Sequence, residues 1–391
     1  MKVLLVNDYG TVEGGAEQMT LTLRDGLRQR GHEVKVFTSS AGTEERFAEN
    51  ECFGTTSSAR TLLQVANPSA YSQLRRVLET FEPDVVHVKL LLTQLSPLVL
   101  PLLRKVPAIY HAVWYRAVCP LGTKTLPDGT SCQSPWGTAC YQNGCLPLRD
   151  WPLLMLQMKC WERWRDVFDL VVANSEATKG RLQGEGINVD EVVWNGVPAP
   201  AAEAPLDSSP TVVFAGRLVP EKGVDILLQA FSQVVRQVPS ARLLVAGEGP
   251  EKNRLRQRVR ELGIAENVSM PGHIPHEKME RRFASAWVQV VPSVWEEPFG
   301  LVAAEALMRG TAVVASRAGG LENIVRDGET GLLVPPGDPK ALASSLVRLL
   351  QNQTLAKRLG ENGREMARTH LSKETFVTRF LELYERLLNE Q

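Results

Sequence analysis

The segment VVPSVWEEPFGLVAAEA, Val290–Ala306, decides how this chain folds, because it contains one complete transition from a strand to a helix. Its apolar start predicts the end of a buried β-strand, and Pro298 suits the first turn of the helix that follows. Glu297 would then stand at the mouth of this helix. Glu305 lies further along among alanines, so we expect its carboxylate to be at least partly buried. Such a carboxylate needs hydrogen-bond donors, which the vicinal hydroxyls of a ribose, or an internal cap or salt bridge, would supply.

The same alternation continues outward from this segment, with short apolar strands separated by amphipathic helices. Strands in this pattern are typical of parallel sheets that helices cover on both faces. We therefore predict an α/β fold of two Rossmann-like, doubly wound domains. The predicted strands of the first domain are Lys2–Val6, His32–Thr38, Asp84–Val88, Val106–His111, Leu170–Asn174 and Glu191–Trp194. Those of the second domain are Thr211–Ala215, Arg242–Ala246, Asn267–Met270, Trp287–Val291 and Thr311–Ala315.

The length of the chain, 391 residues, also fits two domains, since one domain usually contains roughly 100–200 residues. The proline-rich stretch 198–210 favours extended chain over helix and predicts a linker. The sequence thus predicts an N-terminal domain over residues 1–197 and a C-terminal domain over residues 211–370. The last stretch, 371–391, has apolar residues at helical spacing and is predicted to be a helix.

One loop of the second domain carries two cations. In doubly wound sheets, ligands bind where strands end and loops lead into helices. The loop Gly216–Gly223 follows the first strand of the second domain and contains Arg217 and Lys222. An arginine can hold two phosphate oxygens through its planar fork, while a lysine acts as a compact point charge. The pair therefore indicates a phosphate site, or else the basic residues that loops commonly contain.

A glycine-rich loop, Tyr9–Glu17, follows the first strand of the first domain. Its paired glycines, Gly14 and Gly15, would let the backbone approach a ligand closely at the start of a helix, where an anion is favoured. The loop is not the G-x-G-x-x-G of dinucleotide-binding proteins. A glycine turn without a ligand is the other interpretation.

Three of these features together resemble the retaining glycosyltransferases of family 4, which have the GT-B fold of two Rossmann-like domains facing each other across a cleft. They are Glu297 and Glu305 with the Pro-Phe-Gly between them, the loop Gly216–Gly223, and the stretch Gly319–Asp338, GGLENIVRDGETGLLVPPGD. The resemblance extends from Gly14 to Asp338. It implies a nucleotide-diphosphate sugar donor on the second domain, an acceptor on the first, and a C-terminal helix that crosses back to the first domain.

The resemblance also implies a role for each matching residue. Arg217 and Lys222 would hold the donor diphosphate. Glu305 would bind the ribose, and Glu297 would touch hydroxyls of the donor sugar. The other donor-binding residues would flank the nucleotide, offer backbone amides to the sugar or phosphates, or approach the diphosphate from the first domain. These are Glu248, Gly272, His273, Ile274, Phe299, Gly300, Leu301, Val302, Gly14 and Gly15.

The end of one predicted strand of the first domain departs from the family pattern. Family members frequently have His-Asp there, whereas this chain has His111 followed by Ala112. The resemblance implies that His111 lies near the donor sugar and acts in catalysis together with Glu297. A histidine packed in the core is the alternative interpretation.

The mechanism that the resemblance implies is transfer with retention at the anomeric carbon, without a metal or another cofactor. No D-x-D stands at the end of a predicted strand, in agreement. Front-face attack and double displacement both remain open. An epimerase of nucleotide sugars, or a nucleotide-sugar-binding protein without catalysis, are the alternative functions. A phosphorylase would need a pyridoxal lysine, which no motif marks.

The overall charge narrows the choice of partners. Lysine plus arginine number 44, and aspartate plus glutamate also number 44, which gives no net charge. This balance does not favour nucleic acid, so an anionic ligand would need local positive groups. The acceptor expected from the resemblance is a glycan, a lipid-linked sugar or a small molecule, as in polysaccharide biosynthesis.

The lengths of the apolar runs in the sequence indicate where in the cell the protein is located. The N-terminal run Met1–Val6 is short for a signal peptide, and no run approaches the about 18 apolar residues of a membrane span. We expect a cytoplasmic protein, either free in solution or associated with the inner face of the membrane. The stretch Trp151–Arg165 is aromatic, apolar and basic, which suits an interfacial helix on anionic lipid, or equally a core helix with a basic edge.

Four cysteines, Cys119, Cys132, Cys140 and Cys145, follow His111 within a short segment. Their spacing is not the C-x2-C of common zinc sites, and structural disulfides are not expected in the cytosol. A metal or paired site and reduced packing thiols are both open interpretations. Some members of the family have a similar insertion, which implies that this segment lies on the acceptor side.

Overall fold

The computed structural model describes residues 1–11, 14–42, 47–57, 60–200, 205–206 and 208–390, apart from the side chain of Glu277. The chain divides into two compact units. The first consists of Met1–Asp128, Cys132–Gly196 and Lys373–Gln391, and the second of Gly129–Ser131 and Val197–Ser372. The predicted linker 198–210 falls partly outside the described residues and stays a prediction.

The first unit is built on a sheet of seven parallel strands in the order β3-β2-β1-β4-β5-β6-β7. Its central strands are buried on both faces because helices cover them, which explains their continuous apolar sequences. The strands are β1 (Lys2–Tyr9), β2 (Glu33–Ser39), β3 (Asn50–Cys52), β4 (Val85–Val88), β5 (Ala108–Ala112), β6 (Leu170–Ala173) and β7 (Glu191–Val192).

The second unit has a sheet of six parallel strands in the order β10-β9-β8-β11-β12-β13. They are β8 (Thr211–Ala215), β9 (Arg242–Ala246), β10 (Val268–Gly272), β11 (Val288–Val291), β12 (Ala312–Ser316) and β13 (Gly331–Val334). Two parallel sheets confirm the predicted pair of Rossmann-like domains, and all of the predicted strands are present within a few residues. The strands β3 and β13 were not predicted.

Two helices of the first unit begin at a side chain that accepts a hydrogen bond from one of their first amide groups. Asn67 accepts a hydrogen bond from the amide of Ala70, and Ser175 accepts one from the amide of Thr178. The α-helices are α1 (Gly15–Gln29), α2 (Arg60–Val65), α3 (Pro68–Phe81), α4 (Ala139–Gln142), α5 (Trp151–Trp164) and α6 (Glu176–Gly184). Two 3-10 helices, Pro97–Lys105 and Arg165–Val167, precede β5 and β6.

Helices of the second unit cover both faces of its sheet. Phe231 of one helix and Leu346 of another are fully buried in a core that also contains Phe214 of β8. A 3-10 helix, Pro220–Lys222, precedes the first of them. The α-helices are α7 (Val224–Gln237), α8 (Lys252–Glu261), α9 (His276–Phe283), α10 (Leu301–Arg309), α11 (Leu321–Ile324), α12 (Pro339–Leu350) and α13 (Gln353–His370).

The C-terminal helix, α14 (Lys373–Asn389), belongs to the first unit. Its Tyr384 hydroxyl lies 2.6 Å from Nδ1 of His87 on β4, and both groups are buried. Val377 of this helix packs against Gly26 of α1, where a Cβ atom would come within 2.5 Å of a valine methyl. A glycine in α1 therefore allows the two helices to approach closely.

Each sheet has one topological switch point. There the chain first adds strands toward one edge of the sheet and then, from the neighbouring strand, toward the other edge. In the first unit it lies between β1 and β4, and in the second between β8 and β11. Crevices at the carboxyl ends of such strands are where ligands bind in doubly wound sheets. The loops Tyr9–Glu17 and Gly216–Gly223 start at these points, although Val12 and Glu13 of the first loop lie outside the described residues.

Among the described residues, no helix has both the length and the apolar character that crossing a bilayer requires.

The close approach of α1 and α14 gives a test with a matched control. Gly26→Ala places a methyl group against Val377, whereas Gly180→Ala, in α6, places one in open space. Overpacking costs about 1–3 kcal/mol, while alanine in a helix gains about 1 kcal/mol over glycine. We expect Gly180→Ala to raise the melting temperature of the first unit and Gly26→Ala to lower it relative to that control. Equal melting temperatures in a calorimetric comparison would contradict the described packing.

Candidate functional site

The candidate site of the second unit is built from the loops that follow β8 and β11. Gly223 has a φ of +68°, and a Cβ atom there would lie 1.9 Å from the carbonyl oxygen of Pro292. The amide of Val294 also donates a hydrogen bond of 3.0 Å to the carbonyl of Glu221. These contacts bring Lys222 to the end of β11, next to the loop that carries Glu297.

Lys222 and Glu297 form a buried ion pair. The Nζ of Lys222 lies 2.5 Å from Oε1 of Glu297, which also accepts a hydrogen bond of 2.6 Å from the hydroxyl of Ser293. Glu297 is only 6% exposed. Burial alone would raise the pKa of Glu297, but the charge of Lys222 and the hydrogen bonds outweigh it and lower this pKa. The carboxylate is therefore ionised at neutral pH.

Two glycines hold the backbone on which Glu297 stands. The amide of Gly320 donates a hydrogen bond of 2.7 Å to the carbonyl of Glu297. A Cβ on Gly320 would come within 2.6 Å of the Cα of Phe299, and Gly319 has a φ of +61°. The Gly-Gly pair therefore fits under this loop because neither residue has a side chain.

The helix that follows begins without a side-chain cap. Its N-cap is Gly300, which has a φ of +98° and cannot offer a side-chain acceptor to the first amides of α10. Unpaired amides and the helix dipole make such a helix start favourable for an anion or for electronegative oxygens. Leu301 and Val302 are the first two residues of this helix, and Phe299 is buried beside it.

Glu305 on α10 is half-buried, as predicted, and has a partner that the sequence analysis missed. Its Oε1 lies 3.4 Å from Nε2 of His276, at the start of α9. The hydrogen bond to Glu305 is the main cause that raises the pKa of His276, against the opposing effect of burial. His276 could not be recognised from spacing, since it is far from Glu305 in the sequence.

A second acidic side chain, Glu280, is the third member of this cluster. The ligand atoms of His276, Glu280 and Glu305 all lie within 4.8 Å of one another, a spacing that could hold a metal ion. Arg309 is buried, however, and its Nη1 lies 2.5 Å from Oε1 of Glu280. Because the guanidinium already compensates one carboxylate, we describe the cluster as an ion-pair network.

Arg217 is not held in place by a strong contact. Its side chain is 70% exposed, and its Nη2 lies 3.8 Å from Oε1 of Glu221. A surface pair of this kind contributes little to stability, so the side chain can turn toward an anion at low cost.

Glu248 and Gly272 lie together at the ends of β9 and β10. The carboxylate of Glu248 accepts hydrogen bonds from Nζ of Lys252, at 2.6 Å, and from the amide of His273, at 3.4 Å. Gly272 has a φ of +90°, and a Cβ there would lie 2.4 Å from the Glu248 carboxylate. Ile274 packs against the apolar cluster beside β8 and β9.

In the first unit, the glycine loop meets a buried lysine that the sequence analysis missed. Gly14 is the N-cap of α1, and Gly15 is the first residue of that helix. The Nζ of Lys89, directly after β4, donates a hydrogen bond of 3.0 Å to the carbonyl of Ala16. Burial lowers the pKa of Lys89 to about 7, with Glu17 opposing this effect. The sequence signal that could have indicated Lys89 was the position of a lysine directly after the apolar strand VVHV.

His111 is fully buried on β5 among aromatic rings of the same unit. Its ring centroid lies 5.3 Å from that of His87 and 4.8 Å from that of Phe380. Neither of its ring nitrogens has a hydrogen-bond partner among the described residues. Burial, with smaller contributions from Lys89 and His87, lowers its pKa well below the usual value, so the imidazole is neutral.

The buried ion pair gives the first prediction for this site. Lys222→Met leaves the Glu297 carboxylate buried without its partner, which typically costs about 3–5 kcal/mol. We expect Lys222→Met/Glu297→Gln to lose less than the sum of the two single variants in urea unfolding. Lys252→Met is the control, since its partner Glu248 is half exposed and water screens that pair, so the loss should be much smaller. Additive losses would contradict the pair.

The sign of the pH dependence follows from the lowered pKa of Glu297. Its contribution to stability is present above the pKa of an unfolded glutamate and is lost as the pH falls through the folded value. The stability difference between the wild type and Glu297→Gln should therefore shrink in acid.

The second prediction concerns His276. If Glu305 raises the pKa of His276, then Glu305→Gln should lower it toward the usual 6.5. The ion pair is present below the raised pKa and is lost as the pH rises through it. A titration of the histidine ring protons by NMR measures this, with Glu322→Gln as the control. An unchanged His276 pKa in Glu305→Gln would disprove the contact.

Comparisons with known proteins agree with this architecture. The family model "Glycosyl transferases group 1" matches residues 200–366, and the model "Glycosyltransferase Family 4" matches residues 13–199. A D-inositol 3-phosphate glycosyltransferase of Acidothermus cellulolyticus is 41% identical over 206 residues, covering 49% of this chain and 44% of that protein. The chain spans from about a quarter to about half of the length of the curated relatives that it matches.

Two solved structures show the same fold over the whole chain. Sucrose-phosphate synthase of Thermosynechococcus elongatus has a TM-score of 0.76 at 23% identity, covering 100% of both chains. Anabaena HepE in complex with UDP-glucose has a TM-score of 0.71 at 19% identity, covering 99% of this chain and 100% of that one. The two family models account for most of the sequence, and the chain therefore belongs to the family-4-type glycosyltransferases with the GT-B fold.

Proposed function

We propose that this protein is a retaining glycosyltransferase that moves a sugar from a nucleotide diphosphate to a glycan, a lipid-linked sugar or a small-molecule acceptor. The observation that carries the proposal is the ionised Glu297 held by Lys222 beside the uncapped start of α10, at the switch point of the second unit. A sugar linked to a diphosphate needs acceptors for its hydroxyls and positive groups for its phosphates. The carboxylate is such an acceptor, and the cation and the helix start are such positive groups.

In this proposal, cations and helix amides neutralise the leaving diphosphate. Lys222 is in place, and Arg217 is exposed enough to turn toward a second phosphate. The bond between the anomeric carbon and the diphosphate oxygen breaks, and the acceptor hydroxyl forms a new bond to that carbon on the same face. The proton of the acceptor hydroxyl passes to the departing diphosphate. These groups place positive charge where negative charge develops in the transition state. Electrostatic stabilisation of this kind makes the largest contribution to the rate enhancement of many enzymes.

The two glutamates have different tasks in the proposal. Glu297, whose carboxylate is fixed by Lys222 and Ser293, accepts hydrogen bonds from hydroxyls of the donor sugar. Glu305 accepts the hydroxyls of the ribose. The amides of Phe299, Gly300, Leu301 and Val302 contact the sugar or the phosphates, while Glu248, Gly272, His273 and Ile274 flank the nucleotide.

The names of similar proteins support this donor. HepE was solved with UDP-glucose, and the Acidothermus relative is named as a glycosyltransferase acting on D-inositol 3-phosphate. In the first unit, we propose that Gly14 and Gly15 approach the diphosphate with Lys89 behind them. His111 would enter the reaction only after its aromatic neighbours move, so we propose that Glu297 is the principal catalytic residue.

We place the reaction in the cytoplasm, where a lipid-linked acceptor would bring the protein to the inner face of the membrane. The helix considered for such contact, α5, buries Leu154, Met155, Met158 and Trp161 within the first unit, and among its described residues Leu156 is the one exposed large apolar side chain. A single exposed leucine adds no support for membrane contact.

The function is tested first with a panel of nucleotide-diphosphate sugars. A specific ligand at 100 times its Kd stabilises a protein by about 2.7 kcal/mol, so the true donor should raise the melting temperature most. Turnover is then measured with a panel of acceptors, and the anomeric configuration of the product is read by NMR. Turnover of the donor alone to an epimer, or an inverted product, would contradict the proposal.

Variants then separate the roles of the residues. Glu297→Gln should lower kcat by about 100- to 1,000-fold with little change in nucleotide affinity, because only interactions stronger in the transition state accelerate the reaction. Glu305→Gln should mainly weaken nucleotide binding. Arg217→Ala should reduce affinity and rate together, since the diphosphate is present in both states. Glu329→Gln, on an exposed turn, is the control. A near wild-type kcat in Glu297→Gln would remove it from the catalytic residues.

A further inference from the structure

Four cysteines of the first unit line one small cavity. Cys119, Cys132, Cys140 and Cys145 all line it, together with apolar and small residues. The cavity has a volume of about 20 Å³. A single water-sized occupant needs roughly 10–15 Å³, so there is room for one atom or ion between the cysteines.

The segment around the cavity has little regular structure to hold it. The residues from 113 to 150 are all described, and α4, with four residues, is the only α-helix among them. Backbone hydrogen bonds between nearby residues shape its turns, among them those from the amides of Gly122, Cys132 and Leu146 to the carbonyls of Cys119, Lys124 and Cys140. Loop-rich segments with a small core are commonly held by a metal or by disulfides.

We propose that Cys119, Cys132, Cys140 and Cys145 bind one zinc ion as a structural tetrathiolate site. Zinc takes four thiolate ligands in a tetrahedron with Zn–S distances of about 2.3 Å, and structural sites with four cysteines leave no position open. The ion would replace the four thiol protons, which are released to solvent.

A buried lysine fixes part of the backbone beside the cavity. The ammonium of Lys124 is held by the carbonyl of Ser134, at 2.7 Å, and by Glu185, at 2.5 Å. The carbonyl of Lys124 accepts a hydrogen bond of 2.7 Å from the amide of Cys132, so this lysine helps to hold the backbone of Cys132.

A shared ion explains the arrangement better than two disulfides. Disulfides would need only two separate pairs, whereas here all four cysteines line the same cavity. Among the described residues, His276, Glu280 and Glu305 form the only group with all ligand atoms within 4.8 Å. The four sulfurs are therefore further apart than in a closed site, and rotation of the side chains onto the ion would draw them together.

The test measures metal in the untagged full chain, purified under reducing conditions without a chelator. We expect about one zinc per chain by elemental mass spectrometry, released when a mercurial reagent blocks the thiols. Replacement by Co²⁺ should give the visible absorption of tetrahedral cobalt with sulfur ligands, which needs no variant. Protein that contains no zinc after growth with added zinc, or that contains iron instead, would overturn the proposal.

Variants of single cysteines locate the ion. Cys132→Ser and Cys140→Ser should each lose the zinc and the cobalt spectrum. Cys52→Ser, in β3, and Cys160→Ser, in α5, are matched controls that should keep both, because these cysteines are outside the cavity. Mass spectrometry of the wild type after thiol alkylation distinguishes disulfides, whose presence in the four cysteines would also overturn the proposal. None of these measurements depends on the proposed sugar transfer.

Discussion

The buried carboxylate of Glu297 is the constraint on which the second unit depends. A glutamate that is 6% exposed would be costly as an anion, and Lys222 and Ser293 make its ionised form the stable one. The pair joins the loop after β8 to the loop after β11 across the switch point of the sheet. Because breaking such a pair leaves one charge buried alone, the two loops hold each other in position.

The glycines of the second unit follow from this constraint. Gly223 lets its loop reach Pro292, and Gly320 lies directly against Phe299, so each glycine serves a contact between backbones. Gly247 similarly leaves room for the carbonyl of Gly216, 1.9 Å from where its Cβ would be. The glycine-rich motifs that suggested ligand loops therefore have an architectural reason as well. They allow adjacent strand ends to converge, and this convergence places the charged side chains.

Much of the fold could be predicted from the sequence, whereas the contacts within the site could not. Buried parallel strands have apolar runs that are visible in one sequence, and the prediction succeeded for strands such as β8 and β12. The strand β3 has only three residues, two of them polar, so it has no such run. Lys222 and Glu297 were both predicted as site residues, but they are separated by 75 positions, and no local pattern shows that they form a pair. Glu305 was also predicted, but its partner His276 was not, because the two are 29 positions apart.

If the donor binds as proposed above, the pair also limits what each partner can do when a diphosphate lies beside it. Lys222 has one positive charge, and in this structure Glu297 and the face of Trp295, 5.3 Å from its ammonium, already surround it. A diphosphate next to it would compete with the carboxylate for that charge. If Lys222 turned toward a phosphate, the Glu297 carboxylate would lose its partner. It would then need new hydrogen-bond donors, since an unpaired buried carboxylate is unfavourable. Sugar hydroxyls are such donors, so binding of the diphosphate and of the sugar would be coupled through Lys222. Arg217, exposed and weakly held, would supply the additional positive charge without disturbing this balance.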